Sequence, residues 1–356
     1  MTGIRADGNN QIGIGHVMRC LTIAEALRGK GEEVIFLTAD TSCAELIRER
    51  GFLHRSLDTD FADMESELVR LCAIMDELHI NRLLIDSYYV TKEYLENIRK
   101  YAYTIYLDDV DSFPYPVDLL INYNVFAKAT DYPYGVEYVP NGINRTCYEK
   151  ETLTNILAGP RYAPVRSEFT AHPMEVRKKV ANILISSGGS DAFNLSAKIA
   201  NVLLDSTDAV LHVVCGPFNL HKDKLYVLAD SQKRIVLHEN VKDMWNLMQN
   251  CDMAVSAAGS TMCELSAASV PSVTFSFVEN QRRIAETFGD KKAAMWVGHY
   301  IPGEEHVFLS AVADAVKKMC DSEGLRKELS RNANCLVDGQ GGKRIADAIL
   351  NCTKEI

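Results

Sequence analysis

Close to the start of the chain a glycine turn runs straight into a histidine: Asp7-Gly8-Asn9-Asn10-Gln11-Ile12-Gly13-Ile14-Gly15-His16, with Arg19 three residues on. Glycines at 13 and 15 permit a tight turn and a close backbone approach. A histidine at the start of a helix after such a turn stands where catalytic side chains gather, and an imidazole suits general base work near neutrality. The plainer reading of His16 is a structural or solvated side chain. Arg19 shares roughly the same helical face; it can contact a phosphate or a sugar, or be a solvated helix charge. Asp108-Asp109 follows an apolar run and can bond sugar hydroxyls or cap the next element.

Two further loops join an apolar run to a helical stretch: Ser186-Ser187-Gly188-Gly189-Ser190-Asp191 and Ser256-Ala257-Ala258-Gly259-Ser260-Thr261. Free backbone N–H groups and hydroxyls in such loops can cradle a diphosphate. Alternatively, Ser190 or Asp191 is a helix cap with glycines for the turn. Glu264, three residues after Thr261, fits a capping box or a carboxylate that accepts from two ribose hydroxyls. The third glycine of a dinucleotide fingerprint would fall at Met18, and no GxxxxGK[ST], HExxH or GxSxG occurs. NAD, Walker-type NTPase, zinc-protease and α/β-hydrolase readings thus lose their motif support, and no metal is invoked.

These groups need a scaffold, and the apolar pattern supplies one. Runs at Val34–Leu37, Leu83–Asp86, Thr104–Leu107 and Leu119–Ile121, then Ile183–Ile185, Val210–Val214, Ile235–Leu237, Met253–Val255 and Val273–Phe275, read as buried strands. Amphipathic stretches between them predict an α/β protein with parallel sheets. From Tyr123 to Pro164, Pro133, Pro140, Pro160 and Pro164 punctuate a stretch read partly as loop and interdomain connection. The expected division is 1–164 and 165–356, with C-terminal helices near 305–319 and 342–350 that can pack back on either lobe. With 356 residues, two domains are the natural expectation. Lys plus Arg number 38 against 48 Asp plus Glu, an acidic balance that lacks the basic footprint of a nucleic-acid binder. There is no apolar run of membrane-spanning length and no apolar signal core at the start. Ten cysteines without a CxxC read as buried core thiols of a reducing cytoplasm, with a disulfide scaffold as the alternative.

Several blocks together resemble a known family. Arg5-Ala6-Asp7-Gly8, Gln11-Ile12-Gly13 and Gly15-His16-Val17-Met18-Arg19-Cys20-Leu21 are similar to the N-terminal signature of the UDP-sugar hydrolases of pseudaminic acid biosynthesis, which act on UDP-2,4-diacetamido-2,4,6-trideoxy-β-L-altropyranose. These are relatives of the MurG-type glycosyltransferases of the GT-B fold. Ile85-Asp86-Ser87-Tyr88, Leu107-Asp108-Asp109, Asn122-Tyr123-Asn124, Gly159–Ala163 with Val165–Phe169, Ser187–Asp191, Ala258–Leu265 and Glu279-Asn280-Gln281 continue the likeness. The resemblance implies two Rossmann-like lobes with parallel sheets and the site in the cleft between them. His16 matches the catalytic histidine. Asp7, Gly13, Gly15, Arg19, Asp86, Tyr88, Asp109 and Asn124 would face the sugar. Gly188, Gly189, Ser190, Gly259, Ser260, Thr261, Glu264, Asn280 and Gln281 would hold the nucleotide. The implied reaction is metal-independent hydrolysis of a UDP-linked diacetamido-trideoxyhexose to sugar and UDP, with inversion and no cofactor. The partners would be the UDP-sugar and UDP, with no nucleic acid, and the chain a cytoplasmic monomer or weak homo-oligomer. A GT-B glycosyltransferase with a UDP-sugar donor and a non-catalytic nucleotide-sugar binder are the alternatives.

Overall fold

The apolar runs are strands of two all-parallel sheets in the computed structural model, which describes residues 1–9, 11–139, 153–170, 174–216 and 218–351. Asn10 of the first glycine turn and Pro140 lie outside the described residues. The chain divides into two units, one built from residues up to Pro164 and from Gln340 onward, the other from Val165–Gly339.

The first unit runs β1 (Thr2–Ala6), α1 (Gly15–Arg28), β2 (Val34–Thr38), α2 (Ala44–Glu49), β3 (Leu53–Ser56), α3 (Leu68–Glu77), β4 (Arg82–Asp86), α4 (Lys92–Ile98), β5 (Tyr103–Leu107), β6 (Leu119–Asn122), β7 (Gly135–Glu137) and β8 (Thr154–Ala158). Its eight strands lie in the order β3-β2-β1-β4-β5-β6-β8-β7. One face buries Ile4, Phe36, Leu84 and Ile105 under Val17, Leu21 and Leu27 of α1; the other buries Leu37, Leu83 and Ile85 with Tyr94 and Leu95 of α4. Burial on both faces is why these strands read as continuous apolar runs.

The second unit runs β9 (Asn182–Ser186), α5 (Leu195–Ser206), β10 (Val210–Cys215), α6 (Lys222–Ser231), β11 (Ile235–Glu239), α7 (Met244–Gln249), β12 (Met253–Ala257), α8 (Ser260–Ala267), β13 (Ser272–Ser276), α9 (Glu279–Asp290), β14 (Met295–His299), α10 (Glu305–Asp321) and α11 (Glu323–Leu336). Its strand order, β11-β10-β9-β12-β13-β14, is the doubly wound arrangement. In such sheets the chain leaves two neighbouring strands in opposite directions, opening a crevice at their carboxyl ends. That switch point falls between β1 and β4 in the first unit and between β9 and β12 in the second.

Several elements depart from the sequence reading. The expected boundary counts residues 340–356 with the second lobe while leaving open which lobe the last helix packs on. Instead α12 (Gly341–Asn351) belongs to the first unit, where Ile345, Ala346, Ala348 and Ile349 are fully buried in the core that includes α1. The Tyr123–Pro164 stretch, read partly as loop, holds β8 in the middle of the sheet edge, between β6 and β7. Helix α11 stands between the two C-terminal helices expected. The eight described cysteines are free; four are buried, but Cys335 is exposed.

Candidate active site

The loop after β1 is closed on itself before it enters α1. Asn9 and Gly13 exchange backbone hydrogen bonds of 3.2 and 2.8 Å, while Asn9 Oδ1 accepts from the N–H groups of Gln11 and Ile12. Gly13 has φ +76°, a left-handed conformation that a side chain would strain. The turn delivers His16 to the first turn of α1, at the switch point, where β4 ends in Asp86.

His16 and Asp86 form a buried pair with Nδ1 2.6 Å from Oδ1. The Arg19 Nη2 also lies 3.1 Å from Nδ1. Arginine can only donate and an ionised carboxylate can only accept, so the Nδ1 proton goes to Asp86. That tautomer leaves Nε2 with its lone pair, and no protein group among the described residues claims it. The arrangement is therefore a base whose far side is fixed by a carboxylate.

Arg19 is spent inside the protein. Its Nε donates to Asp86 Oδ2 at 2.5 Å, its Nη2 to Asp86 Oδ1 at 2.5 Å, and its Nη1 to Asp109 Oδ2 at 2.6 Å and the Tyr123 hydroxyl at 2.9 Å. The fork ties α1 to the ends of β4, β5 and β6, instead of reaching out as the sequence reading expected. Burial alone would raise the Asp86 titration; the charge and hydrogen bonds of Arg19, joined by His16, hold it well below the usual carboxylate range. Asp109 also accepts from Tyr88 at 3.1 Å and from Asn124 Nδ2 at 3.4 Å. The Tyr88 ring meets His16 edge-on at 4.7 Å and is itself half-exposed. Six of the expected residues, His16, Arg19, Asp86, Tyr88, Asp109 and Asn124, thus form one connected network.

Asp7 stands apart from it. Its Oδ2 accepts from Arg5 Nη1 at 2.5 Å and its Oδ1 from the Ala39 N–H at 2.7 Å. Arg5, fully buried, also makes a bidentate pair with Glu67, which accepts from the Tyr94 hydroxyl. Asp7 therefore anchors the end of β1 under the turn. Asp108 is likewise internal, accepting from the N–H groups of Val110 and Asp111 and the hydroxyls of Tyr115 and Tyr132. Gly15 has open space where a side chain would be. The sequence reading missed Tyr123 and Cys20, whose Sγ donates to Asp86 Oδ2 at 3.5 Å.

In the second unit both glycine–serine loops stand at the β9/β12 switch point. Gly188 (φ +82°), Gly189 and Ser190 are exposed, and the Ser187 hydroxyl is buried with no partner among the described residues. A side chain on Gly216, after β10, would fall 2.3 Å from the Gly189 carbonyl, so the two loops touch backbone to backbone. Of the two caps considered, Asp191 takes the part: it accepts from the N–H groups of Leu195 at 2.7 Å and Ser196 at 3.1 Å. The first amides of α5 are thereby closed to an anion. The start of α8 is different, for Gly259 precedes it and no side chain caps it.

Glu264 does not close a capping box. Its Oε1 accepts from Arg166 Nε at 2.9 Å and Nη2 at 2.8 Å, and Oε2 has no protein donor among the described residues. Burial raises the Glu264 titration, with Arg166 offsetting part of that rise. Arg166, from the Val165–Phe169 block, therefore binds one oxygen of the carboxylate and leaves the other open. In the first turn of α9, Asn280 is exposed, while Gln281 Oε1 accepts from the Phe277 N–H at 3.4 Å. No group of three or more His, Cys, Asp or Glu among the described residues is placed to hold a metal ion, and no described helix is long and apolar enough to cross a membrane.

No protein-family model matches the chain. The sequence is 26% identical over 81% of its length to the UDP-2,4-diacetamido-2,4,6-trideoxy-β-L-altropyranose hydrolase of Campylobacter jejuni, covering 95% of that protein. It is also 26% identical to the spore coat polysaccharide biosynthesis protein SpsG of Bacillus subtilis, over 98% of this chain and 97% of that one. An uncharacterised protein of Methanocaldococcus jannaschii is 28% identical over 86% of the chain, which spans only 61% of that relative. Among solved structures, MurG of Acinetobacter baumannii superposes with a TM-score of 0.65 at 15% identity, covering 99% of both chains. The spinosyn rhamnosyltransferase SpnG, complexed with thymidine diphosphate, does so with a TM-score of 0.64 at 14% identity, covering 98% of both. The chain has the GT-B fold of these glycosyltransferases, and its sequence is similar to that of the Campylobacter hydrolase.

Proposed function

We propose that the protein is a hydrolase of a UDP-linked 2,4-diacetamido-2,4,6-trideoxyhexose, releasing the free sugar and UDP. The observation that carries this reading is the His16–Asp86 pair, with Nδ1 committed to the carboxylate at 2.6 Å and Nε2 left to act. Nε2 takes a proton from a water as its oxygen attacks the anomeric carbon. The bond from that carbon to the diphosphate oxygen breaks, the configuration inverts, and the electron pair leaves on UDP. Tyr88, which meets the His16 ring, and Asp109 and Asn124, which are bonded to one another beside it, are the polar groups assigned to the sugar.

In this reading the second unit holds the nucleotide. The free Oε2 of Glu264 accepts from the ribose, and Gly188, Gly189, Ser190, Gly259, Ser260 and Thr261 surround the diphosphate. The uncapped start of α8 supplies N–H groups to the growing charge, so the step runs without a metal or cofactor. Asn280 and Gln281 complete the nucleotide side. The protein works in the cytoplasm as a monomer or weak homo-oligomer in sugar biosynthesis of the pseudaminic acid type. Support comes from the likeness to the Campylobacter hydrolase and from the shared fold.

The fold of the structural neighbours favours a second reading, a glycosyltransferase in which His16 activates an acceptor hydroxyl instead of water. A panel of UDP-sugars incubated without any acceptor and followed by mass spectrometry separates the two. Stoichiometric UDP and free sugar from the diacetamido-trideoxyhexose substrate support the hydrolase. Binding without release supports a strict transferase, and indefinite binding with every acceptor tried supports a sensing module.

A further inference from the structure

Arg19 is turned inward, and most of its hydrogen-bonding capacity is used inside the protein. Four of its N–H groups end on acceptors from three different strand ends: both oxygens of Asp86, one oxygen of Asp109, and the Tyr123 hydroxyl. Its side chain is only 13% exposed. We propose that Arg19 is a positioning residue for His16: it holds the Asp86 carboxylate in the plane that fixes the imidazole, and its charge balances that carboxylate so that the imidazole remains an uncharged base. The proposal rests on the reading of His16 as the base.

The balance of charge is local and can be drawn up group by group. Against His16 itself stand Asp86 at the end of β4, Tyr88 just beyond it and Arg19 from α1; behind them Cys20 of α1 bonds Asp86, while Asp109 after β5 and Tyr123 after β6 bond Arg19. Tyr88, Cys20 and Tyr123 are neutral donors, all with titrations raised chiefly by burial. The charges are thus two carboxylates against one guanidinium. With Arg19 present, one negative charge is left over and lies mainly at Asp109, which does not touch the ring. Without Arg19, both carboxylates are uncompensated and Asp86 is hydrogen-bonded to the imidazole. An imidazole in that field takes up a proton and can no longer accept one from water. A charge at 4–6 Å moves a titration by roughly one to three pH units.

Geometry adds a second duty. A carboxylate bonded through one oxygen to His16 can rotate; one gripped through both oxygens by a planar fork cannot. Lysine at this position would keep the charge and lose the grip, which separates the two duties.

The test is the titration of the His16 ring, followed by nitrogen-15 NMR in the wild type, Arg19→Met and Arg19→Lys, beside the pH profile of UDP release from the diacetamido-trideoxyhexose substrate. Arg19→Met should raise the ring's midpoint by about one to three pH units and carry the acid limb of the rate profile up with it. Arg19→Lys should leave the midpoint within about half a unit while turnover falls about tenfold to a hundredfold. A folded Arg19→Met whose midpoint coincides with the wild type overturns the proposal, however slow the variant is. Should Arg19→Met fail to fold, Arg19→Lys decides: a midpoint displaced by about a unit or more, or unimpaired turnover, overturns it. If His16→Asn keeps full turnover while Arg19→Met still moves the midpoint, the positioning stands and the assignment of the base fails instead.

Discussion

Replacing Glu264 by Gln should weaken UDP binding by about tenfold to a hundredfold. The carboxylate has one oxygen committed to Arg166, at 2.9 and 2.8 Å, and one oxygen free. A ribose hydroxyl donating to that free, charged oxygen makes a bond of about 1.5–3 kcal/mol, and each 1.4 kcal/mol is about a factor of ten. Glutamine keeps the shape and removes the charge. The same geometry gives a sign for pH. Burial already raises the Glu264 titration and Arg166 offsets part of that rise. Only the ionised form accepts well, so the Glu264 contribution to UDP affinity is present at high pH and lost as pH falls through its titration. Arg166→Gln removes the offset, so the loss should begin at a higher pH than in the wild type. Isothermal titration calorimetry with UDP across a pH series measures this, with Glu264→Gln as the control for protonation of the nucleotide itself. A Glu264→Gln protein that is folded and binds UDP with wild-type affinity would refute the ribose role. A wild type that discriminates between UDP and 2′-deoxy-UDP no better than the variant would do so too.

Asp86→Asn should lose stability as well as rate. It leaves the guanidinium of Arg19 buried without its main partner, a change that costs about 3–5 kcal/mol, and it frees the His16 tautomer; urea unfolding and UDP release measure the two effects. Since the Asp86 titration is held low, its stabilising contribution is complete above the ordinary carboxylate range and lost only as pH falls toward its folded-state titration. Acid unfolding of the wild type should therefore carry a component absent from Asp86→Asn. Ile349→Ala, in a helix far along the chain, should cost about 2–5 kcal/mol, because that side chain is fully buried in the core that includes α1; hydrogen exchange should locate the loosening in the first unit. Turnover should survive excess EDTA, and loss restored by magnesium or manganese would contradict the charge stabilisation assigned to the start of α8.

Much of this architecture was legible because of how parallel sheets bury their strands. β2, β4, β5 and β6, and likewise β9, β12 and β13, are covered on both sides and write themselves as apolar runs, while β10 is apolar although one of its faces is only half-buried. The strands that escaped have physical reasons. β1 carries Arg5 in mid-strand, and its burial is made tolerable by Glu67, sixty-two residues away. β3 is an edge strand with exposed Leu53 and polar neighbours. α12 could not be assigned to a unit because an amphipathic helix does not encode which face it will cover. The site was legible in kind but not in connection. His16 could be nominated from its loop and Asp86 only from the family resemblance, as a residue facing the sugar, whereas the use of Arg19 as an internal clamp depends on three strand ends converging on it. Glu264 illustrates the same limit, since three residues after Thr261 suits a capping box and only the arrival of Arg166 shows that the carboxylate is directed elsewhere.

The central claim is that His16 activates water. The most direct measurement is the acceptor-free reaction of the UDP-linked diacetamido-trideoxyhexose with wild type and His16→Asn, followed by proton NMR for the anomer first formed and by UDP release. The account predicts UDP and inverted sugar in equal amounts from the wild type. It predicts a loss of about 10²–10⁴-fold in turnover for His16→Asn, with UDP affinity nearly unchanged. Wild-type turnover by His16→Asn, or no UDP release by the wild type until an acceptor is added, would contradict it.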